Sequence, residues 1–481
     1  MQLSPVLNIL GLLATILAAA MLIPMCVDLY LGSSDWHIFA LSALLTGFVG
    51  VSIWLATSRR EALDLGLRQA FLLTNGSWVM IGIFGSLPFM FSELHLSFTD
   101  SVFESISGIT TTGSTVLVEI EKASPGILIW RALLQWLGGV GIVVMAMAVL
   151  PMLSVGGMQL FRTESYERAE KVVPRATQLA GGIGLVYTAL TALWAMMLTF
   201  SGMNVFDAVT HSMTTLATGG YSTRTASIGA FDSVVIEWVI IVGMIVGSLP
   251  FAHYLAMVRG GWRGLLHDPQ VRWFLILIFG LVLMLCWHLM QNGLGLGEAI
   301  RQASFNGVSI ITGTGYVSAN FSAWGGFATT ILLIVMFIGG CGGSTTCGIK
   351  VFRLQVLAST VKVQISRLLR PHAVVLAYYN KRPVSGEVMD SVMGFFYLYI
   401  LGFVVIALVL GMTGLDFVTA LSGAATSISN VGPGLGGVIG AEGNFSSVPD
   451  SAKWVMSFAM ILGRLEIFTV LVMLAPGFWQ R

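Results

Sequence analysis

The chain has 481 residues, of which 56% are hydrophobic and only 10% are charged, and its formal net charge is +1. Soluble globular proteins carry roughly 25% charged residues, so this composition excludes a soluble domain and indicates an integral membrane protein. The near-zero net charge also argues against nucleic acid as a partner. The cysteines lie in or beside apolar runs, which predicts small buried side chains rather than a disulfide framework or a zinc site at Cys26, Cys286, Cys341 and Cys347.

Apolar runs of about 20 residues recur along the chain, and each is long enough to cross a hydrocarbon core of roughly 30 Å as a helix. The run at residues 6–22 has no basic segment before it, so it is predicted to be a spanning helix rather than a cleavable signal peptide. Ten spans are predicted, at residues 6–30, 37–57, 69–91, 126–150, 180–201, 233–258, 271–293, 325–360, 391–413 and 452–476.

Four shorter segments follow the third, fifth, seventh and ninth spans, and they align with one another without a gap. They occupy residues 100–113, 207–220, 302–315 and 419–432. Each ends in a tip of four residues that is rich in Thr and Gly. Each begins with a polar residue that is predicted to cap a helix, namely Asp100, Asp207, Gln302 or Thr419. Four copies in one chain define an internal repeat.

This repeat predicts an all-α polytopic membrane protein, in which two leading helices precede four pseudo-symmetric helix–pore-loop–helix repeats around one pore. The leading helices are assigned to residues 1–60, and the repeats to residues 61–160, 161–265, 266–370 and 371–481. The repeated segments are too short to span, and non-helical backbone at membrane depth survives only where protein or water satisfies its polar groups. The four tips are therefore expected to line a wet pore.

The composition of the tips suits a potassium filter, which needs backbone carbonyl oxygens in place of the water shell of the ion and glycine where φ is positive. The last position is glycine in all four tips, and no tip carries a charged side chain, which argues against divalent-cation and anion pores. The alternative is that the segments are amphipathic connectors with chance Thr-Gly endings. The predicted filter residues are Thr110, Thr111, Thr112, Gly113, Ala217, Thr218, Gly219, Gly220, Thr312, Gly313, Thr314, Gly315, Ser429, Asn430, Val431 and Gly432.

The distribution of charge predicts the orientation of the chain. Most of the 24 basic residues lie in the stretches 58–68, 162–175, 259–272 and 350–382, which are therefore assigned to the cytoplasm. The loops with the tips hold most of the acids and are predicted to face outward, where they would raise the local concentration of a cation. These acids are Glu93, Asp100, Glu104, Glu119, Glu121, Asp207, Asp232, Glu298, Asp416, Glu442 and Asp450.

The eighth span is unusual because the sequence GGCGGSTTCGIK, at residues 339–350, interrupts it. Only about 14 residues separate Trp324 from Gly339, too few to cross a bilayer, and the apolar pattern resumes after Lys350. We expect a broken helix with an unwound loop inside the membrane. The alternative is a flexible linker at the membrane surface.

At the tip motifs SGITTTGSTV, TTLATGGYST, SIITGTGYVSANF and SISNVGPGLGG, the chain resembles the Trk/Ktr/HKT superfamily of cation transporters. The resemblance extends over essentially the whole chain, and the two leading helices resemble TrkH-type bacterial potassium uptake subunits. Glycine in all four loops of that superfamily goes with potassium selectivity, so Gly113 in the first loop implies potassium. Asn430 and Val431 depart most from the other tips, which argues against a strictly four-fold coordination cage.

The resemblance also implies a gate, since in the family a loop in the third repeat obstructs the pore below the filter. An arginine in the last helix faces that loop, and Arg464 matches it. An arginine at mid-span is costly in lipid and is expected to face the interior, where loop carbonyls are the favoured partners because Glu466 lies roughly 200° round a continuous helix. The alternative is a structural intramembrane ion pair. The gate is assigned to Gly339, Gly340, Cys341, Gly342, Gly343, Ser344, Thr345, Thr346, Cys347, Gly348, Lys350 and Arg464.

The predicted function is potassium uptake across the bacterial cytoplasmic (inner) membrane through a channel-like pore with its filter side outward. Sodium- or proton-coupled transport of monovalent cations is the alternative within the superfamily. An enzyme is not predicted, because the seven histidines are scattered, and four pore tips argue against a transporter of organic solutes.

The partners are implied by the resemblance, which predicts a homodimer and a cytosolic TrkA-type nucleotide-sensing subunit, besides membrane lipid. The basic stretch 362–382 is either a docking site for that subunit or a positive-inside signal. K⁺ is expected as the transported ion. No nucleotide is expected to bind this chain, because Ile349 separates Gly348 from Lys350 and breaks the phosphate-loop pattern Gly-Lys-Ser/Thr.

Overall fold

A computed structural model of the chain describes residues 3–58, 66–148, 157, 176–258, 260–261, 263–380 and 382–480. Within these residues the protein is almost entirely helical, and a small antiparallel hairpin pairs Tyr378–Tyr379 with Arg382–Pro383. Seven helices are long and apolar enough to cross a membrane, or nine if two bent pairs each form one span. Lipid-exposed side chains such as Leu44 and Phe48 remain largely uncovered. The predicted all-α polytopic membrane fold is confirmed.

The two leading helices, Ser4–Leu31 and Trp36–Thr57, form a hairpin. Their backbones approach closely where Gly11 faces Gly50, and a Cβ atom built on Gly11 would lie 2.8 Å from the carbonyl oxygen of Gly50. Small residues permit such close helix packing in membranes. Cys26 lies on the outer face of this hairpin and is exposed, so its predicted burial is wrong, whereas the other three cysteines are buried.

Each of the four repeats contains a first helix, a short pore helix and a second helix. The first helices are Leu67–Phe84 with its continuation Leu87–Phe91, Ala176–Phe200, Pro269–Gln291 and Gly386–Met412. The pore helices are Phe98–Ile109, Val205–Leu216, Leu296–Ile311 and Phe417–Ser429. The second helices are Pro125–Ala148, Val234–Gly247 with Phe251–Val258, Gly326–Met336 with Val351–Leu369, and Asp450–Arg464 with Ile467–Leu474. Short helices connect them at Ile120–Lys122, Ser227–Phe231, Arg263–His267, Phe321–Ala323, Gly436–Ile439 and Pro476–Trp479.

The pore helices begin earlier than predicted. The capping positions are Ser97, Asn204, Gly295 and Asp416, so the assignment of the caps to Asp100, Asp207, Gln302 and Thr419 is wrong. The Ser97 hydroxyl accepts a hydrogen bond from the Asp100 N–H at 3.1 Å, and the Asp416 carboxylate accepts one from the Thr419 N–H at 3.1 Å. Hydrogen bonds from Thr419 hold the pKa of Asp416 below its ordinary value. Asp100 and Asp207 lie in the first helical turn instead, where an acid favours the helix dipole.

The second helices of the repeats are unequal. That of the first repeat is continuous, whereas that of the second repeat bends by 94° at a break that contains Pro250. Proline lacks the N–H that would continue the helix. The second helix of the fourth repeat bends by 112° at Glu466, where φ is +62°. Single continuous helices at 233–258 and 452–476 were therefore a wrong prediction.

The second helix of the third repeat is interrupted, as predicted for residues 325–360. Its two parts are separated by residues 337–350, which we call the interrupting loop. The two ends of the loop meet in an isolated parallel bridge between Ile338 and Ile349. The loop thereby leaves the helix and returns to it at nearly the same point.

Candidate functional site

The four tips share one backbone conformation. The second position of each tip has a positive φ, at Thr111, Thr218, Gly313 and Asn430. The fourth position also has a positive φ, between 78° and 106°, at Gly113, Gly220, Gly315 and Gly432. Three of the second positions are not glycine, and a non-glycine residue is uncommon in this region. The gapless alignment of the sequence thus corresponds to a repeated three-dimensional geometry.

The four tips close into a ring. The glycine at the fourth position of each tip faces the carbonyl of the third position in the tip of the next repeat. A Cβ atom on Gly113 would collide with the carbonyl oxygen of Gly219. The same holds for Gly220 against Thr314, Gly315 against Val431 and Gly432 against Thr112. The contacts run from repeat one to two, three and four and back to one. Only glycine, which has no side chain, allows this approach.

Most carbonyl oxygens of the ring have no protein partner. Among the described residues, the tip carbonyls that accept a hydrogen bond are those of Ala217, Gly219 and Gly432. The first three residues of each tip are nevertheless buried, as at Thr112 and Thr314. A buried carbonyl without a partner is costly, so these oxygens need water or a cation. The pore helices end at the ring, and the partial negative charge of their C-termini also favours a cation.

A cavity of about 70 Å³ lies on one side of the ring, and we call it the vestibule. The fourth-position glycines of all four tips line it, together with the loops that follow the tips. Its wall includes Arg131, Tyr221 and Arg224. The vestibule therefore touches all four repeats and opens toward the ring of carbonyls.

A buried ion pair supports the vestibule and was not predicted from the sequence. Arg131 Nε donates to Glu104 Oε1 at 2.8 Å, and both side chains are at most 1% exposed. The guanidinium of Arg131 also donates to the carbonyl of Ser222 in the next repeat and lies 4.0 Å from the ring centroid of Tyr221. An arginine within the apolar run 126–150 is the signal that would have identified this pair.

Several acids that were expected to attract cations are engaged in ion pairs instead. Glu104 is buried against Arg131 as described, and Asp207 accepts from Arg224 at 3.0 Å. Asp100 pairs with Lys453 at 2.6 Å, which joins the first pore helix to the last second helix. Because these carboxylates are neutralised by partners, they stabilise the loops around the vestibule rather than attract cations.

The interrupting loop lies on the other side of the ring, in the protein interior. Cys341, Ser344, Thr345 and Thr346 are each at most 1% exposed, which excludes a linker at the membrane surface. The loop docks on the break in the second helix of repeat two. There Cys341 N–H donates to the carbonyl of Ser248 at 3.0 Å, Thr345 N–H donates to that of Gly247 at 3.2 Å, and Phe251 N–H donates to that of Gly343 at 3.0 Å.

Arg464 faces the interrupting loop, as predicted, and is 1% exposed. Its Nη1 donates to the carbonyl of Thr345 at 3.0 Å and to Cys347 Sγ at 2.8 Å, and its Nη2 donates to the carbonyl of Gly138 at 2.7 Å. Within the described part of the chain Arg464 has no carboxylate partner, so the alternative of an intramembrane ion pair finds no support. Glu466 instead pairs with Arg353 at 2.6 Å, because the helix bends between Arg464 and Glu466.

A small cavity of about 20 Å³ separates the loop from the second helices of repeats one and four. Arg464, Lys350, Glu466 and Ile142 line it. Lys350 Nζ donates to the carbonyl of Thr346 and is 7% exposed. The predicted gate residues that line this cavity are Gly342, Gly343, Ser344, Thr346, Cys347, Gly348, Lys350 and Arg464.

A ring of buried carbonyls formed by four re-entrant loops, inside a helical membrane protein, defines a cation transporter rather than an enzyme. The chain matches the TrkH family, described as "Cation transport protein", over residues 36–480, and it belongs to that family. It is 43% identical to "Trk system potassium uptake protein TrkI" of Halomonas elongata, over 99% of this chain and 97% of the relative. It is 37% identical to "Trk system potassium uptake protein TrkH" of Escherichia coli K12, over 98% of this chain and 99% of the relative.

The fold is also similar to a solved structure. The crystal structure of the potassium transporter TrkH from Vibrio parahaemolyticus superimposes with a TM-score of 0.91, covers 100% of both chains and is 36% identical. The family predicted from the tip motifs is therefore confirmed, and so is the expectation that the chain is not an enzyme.

Proposed function

We propose that this chain mediates potassium uptake across the bacterial cytoplasmic (inner) membrane, with the ring of tips as its selectivity filter. The observation that carries this proposal is the closed ring of tip carbonyls, most of which have no protein partner, since such oxygens replace the hydration shell of a potassium ion. The names of the relatives support it, because they are potassium uptake proteins. K⁺ is the transported ion, and no nucleotide binds this chain.

The four tips contribute unequally to this filter. Asn430 Nδ2 donates to Thr112 Oγ1 at 2.9 Å and to the carbonyl of Met460 at 2.9 Å, whereas the other tips have no amide side chain at the second position. In the second tip, the carbonyl of Gly219 accepts from Gln135 Nε2 at 2.6 Å. These contacts give a filter with pseudo-four-fold rather than four-fold coordination.

The interrupting loop and Arg464 form the gate in this proposal. They lie directly behind the ring, on the side away from the vestibule, and the contacts of the guanidinium hold the loop in place. A fixed positive charge at this depth also repels a permeating cation. Ion flow therefore requires the loop and Arg464 to separate.

The vestibule faces outward, in agreement with the concentration of basic residues at the opposite ends of the spans. The membrane potential then drives uptake with about 2.3 kcal/mol per charge for each 100 mV, so a gated pore needs no coupled ion. The chain acts as a homodimer with a cytosolic TrkA-type subunit, which senses nucleotide and moves the loop.

Flux measurements in liposomes test this function. The purified chain is reconstituted, a negative interior potential is imposed, and uptake of radioactive rubidium is followed, with protein-free liposomes as the control. We expect saturable uptake that potassium inhibits more strongly than sodium and that persists without sodium or proton gradients. Absence of rubidium uptake, or equal inhibition by sodium, would reject the proposal.

A further inference from the structure

In three of the four repeats, the second helix carries a glycine that packs against the filter tip of the same repeat. These glycines are Gly138, Gly247 and Gly463. A Cβ atom built on each glycine would touch the carbonyl of the residue before the tip, which is Ile109, Leu216 or Ile428. It would also touch the side chain at the second tip position, which is Thr111, Thr218 or Asn430. The second helices therefore support the tips from behind at equivalent places. In the third repeat the interrupting loop replaces the helix at this level.

The gate cluster is hydrogen-bonded to two of these supporting glycines and adjoins the third in the chain. Arg464 Nη2 donates to the carbonyl of Gly138 at 2.7 Å, and Arg464 directly follows Gly463 in the chain. The N–H of Thr345 donates to the carbonyl of Gly247 at 3.2 Å, and the Thr345 hydroxyl oxygen lies 2.9 Å from the same carbonyl oxygen. The gate and the supports of the first two tips thus share one hydrogen-bond network, and the support of the fourth tip adjoins Arg464 in the chain.

Thr345 also reaches the filter itself. Its Oγ1 lies 3.1 Å from Oγ1 of Thr218, at the second position of the second tip, and 3.1 Å from the carbonyl of Leu216. Thr218 has φ of +51°, a conformation that a non-glycine residue keeps only when its surroundings hold it. Its hydroxyl also donates to the carbonyl of Ala217, the first residue of the same tip, at 2.7 Å. Since the Thr218 hydroxyl donates to Ala217, its oxygen can accept from the Thr345 hydroxyl, and this bond would link the loop to the tip.

We propose that Thr345 is a positioning residue for ion selectivity, whose hydroxyl fixes the second tip in the geometry that distinguishes potassium from sodium. The proposal rests on the filter and gate functions proposed above and goes beyond them, because it makes selectivity depend on the docked loop. By linkage, an ion that favours this tip geometry also favours the docked loop, so occupancy of the filter and closure of the gate are coupled.

Paired substitutions separate this role from gating. Thr345→Val removes the hydroxyl at nearly constant volume, Thr345→Ser keeps it, and Thr345→Ala is a second removal variant if Thr345→Val does not fold. Thr346→Val is the matched control, because Thr346 lies in the same loop and its hydroxyl contacts Gly340 and Ser344 but not a tip. This control is expected to change the rate of uptake and to keep the ion preference.

The first readout is the sodium concentration that half-inhibits rubidium uptake, divided by the potassium concentration that does so. The second readout is the sodium concentration that gives half-maximal thermal stabilisation of the purified protein, divided by the corresponding potassium concentration. We expect the loss of one hydrogen bond to lower both ratios by about three- to tenfold in Thr345→Val, with Thr345→Ser close to the wild type. A Thr345→Val protein with an altered rate but wild-type ratios would overturn the inference, and so would equal losses in both variants. A wild-type protein without potassium preference would instead refute the proposed function.

Discussion

The Nη2 atom of Arg464 donates a hydrogen bond to the carbonyl oxygen of Gly138, 2.7 Å away, although 326 residues separate them in the chain. The contact joins the second helices of the last and first repeats. Arg464 simultaneously holds the carbonyl of Thr345 in the third repeat, so a single guanidinium connects three repeats on one side of the ring. In the proposed gate, Arg464 therefore ties the interrupting loop to the first and last repeats.

Replacement of Arg464 by alanine is expected to raise rubidium uptake. The change removes the bonds to the interrupting loop together with a positive charge behind the ring. Each hydrogen bond from a charged group contributes about 1.5–3 kcal/mol, so the loss of one shifts the open population by about tenfold or more. Uptake into liposomes measures the effect, and Arg464→Lys, which keeps the charge without the planar fork, should lie between wild type and alanine. A folded Arg464→Ala protein with unchanged or reduced uptake would contradict the gate.

Deletion of residues 342–346 is likewise expected to raise uptake, because it shortens the buried loop and removes its hydrogen bonds to Gly247 and Phe251. If the loop and Arg464 form one gate, the deletion combined with Arg464→Ala should increase uptake no further than the stronger single change. Additive increases in uptake would show that the loop and Arg464 obstruct the pore independently. An unaltered uptake rate in a monodisperse deletion protein would show that the loop is not part of the gate.

Gly113→Ser is expected to relax discrimination against sodium. Gly113 has φ of +86°, and its missing Cβ leaves space for the carbonyl of Gly219, so any side chain displaces one member of the ring. Competition of sodium with rubidium uptake measures the change. Gly297→Ser is the control, because a Cβ atom there meets no heavy atom within 4 Å. If sodium still failed to compete with rubidium uptake in Gly113→Ser, the first tip would not be part of the selectivity filter.

The location of the tips and of the interrupted helix follows from the sequence because both depend on local composition. Glycine recurs at the fourth tip position because neighbouring carbonyls exclude a side chain there, and this requirement leaves a visible pattern at Gly113 and Gly220. The break near Gly339 is visible for a similar reason. The placement of Arg464 opposite the loop follows from the resemblance to the family.

Features that depend on contacts between repeats were not predictable in this way. The expectation that Glu466 points away from Arg464 depends on a continuous helix. The helix instead bends between the two residues, and the bend allows Glu466 to pair with Arg353. Glu104 was counted with the acids that attract cations, because no local pattern shows that Arg131, 27 residues later, neutralises it. The supporting role of Gly138 likewise emerges only from its packing against the first tip.

Glu104→Gln is expected to destabilise the fold strongly, because it leaves the Arg131 guanidinium buried without its charge partner. Removing one member of a buried pair typically costs about 3–5 kcal/mol, whereas an exposed pair contributes about 1 kcal/mol or less. Glu119→Gln is the matched control, since Glu119 pairs with Lys122 and both side chains are more than 60% exposed. Thermal unfolding in detergent measures both variants.

The same experiment separates charge from packing at this pair. The double variant Glu104→Gln/Arg131→Met removes the uncompensated charge, so it should recover part of the loss that Glu104→Gln causes alone. If Glu104→Gln unfolded at the same temperature as Glu119→Gln, the pair would not stabilise the vestibule. If the double variant unfolded below Glu104→Gln, the bond from Arg131 to the carbonyl of Ser222, which crosses from the first repeat to the second, would outweigh the ion pair in holding those repeats together.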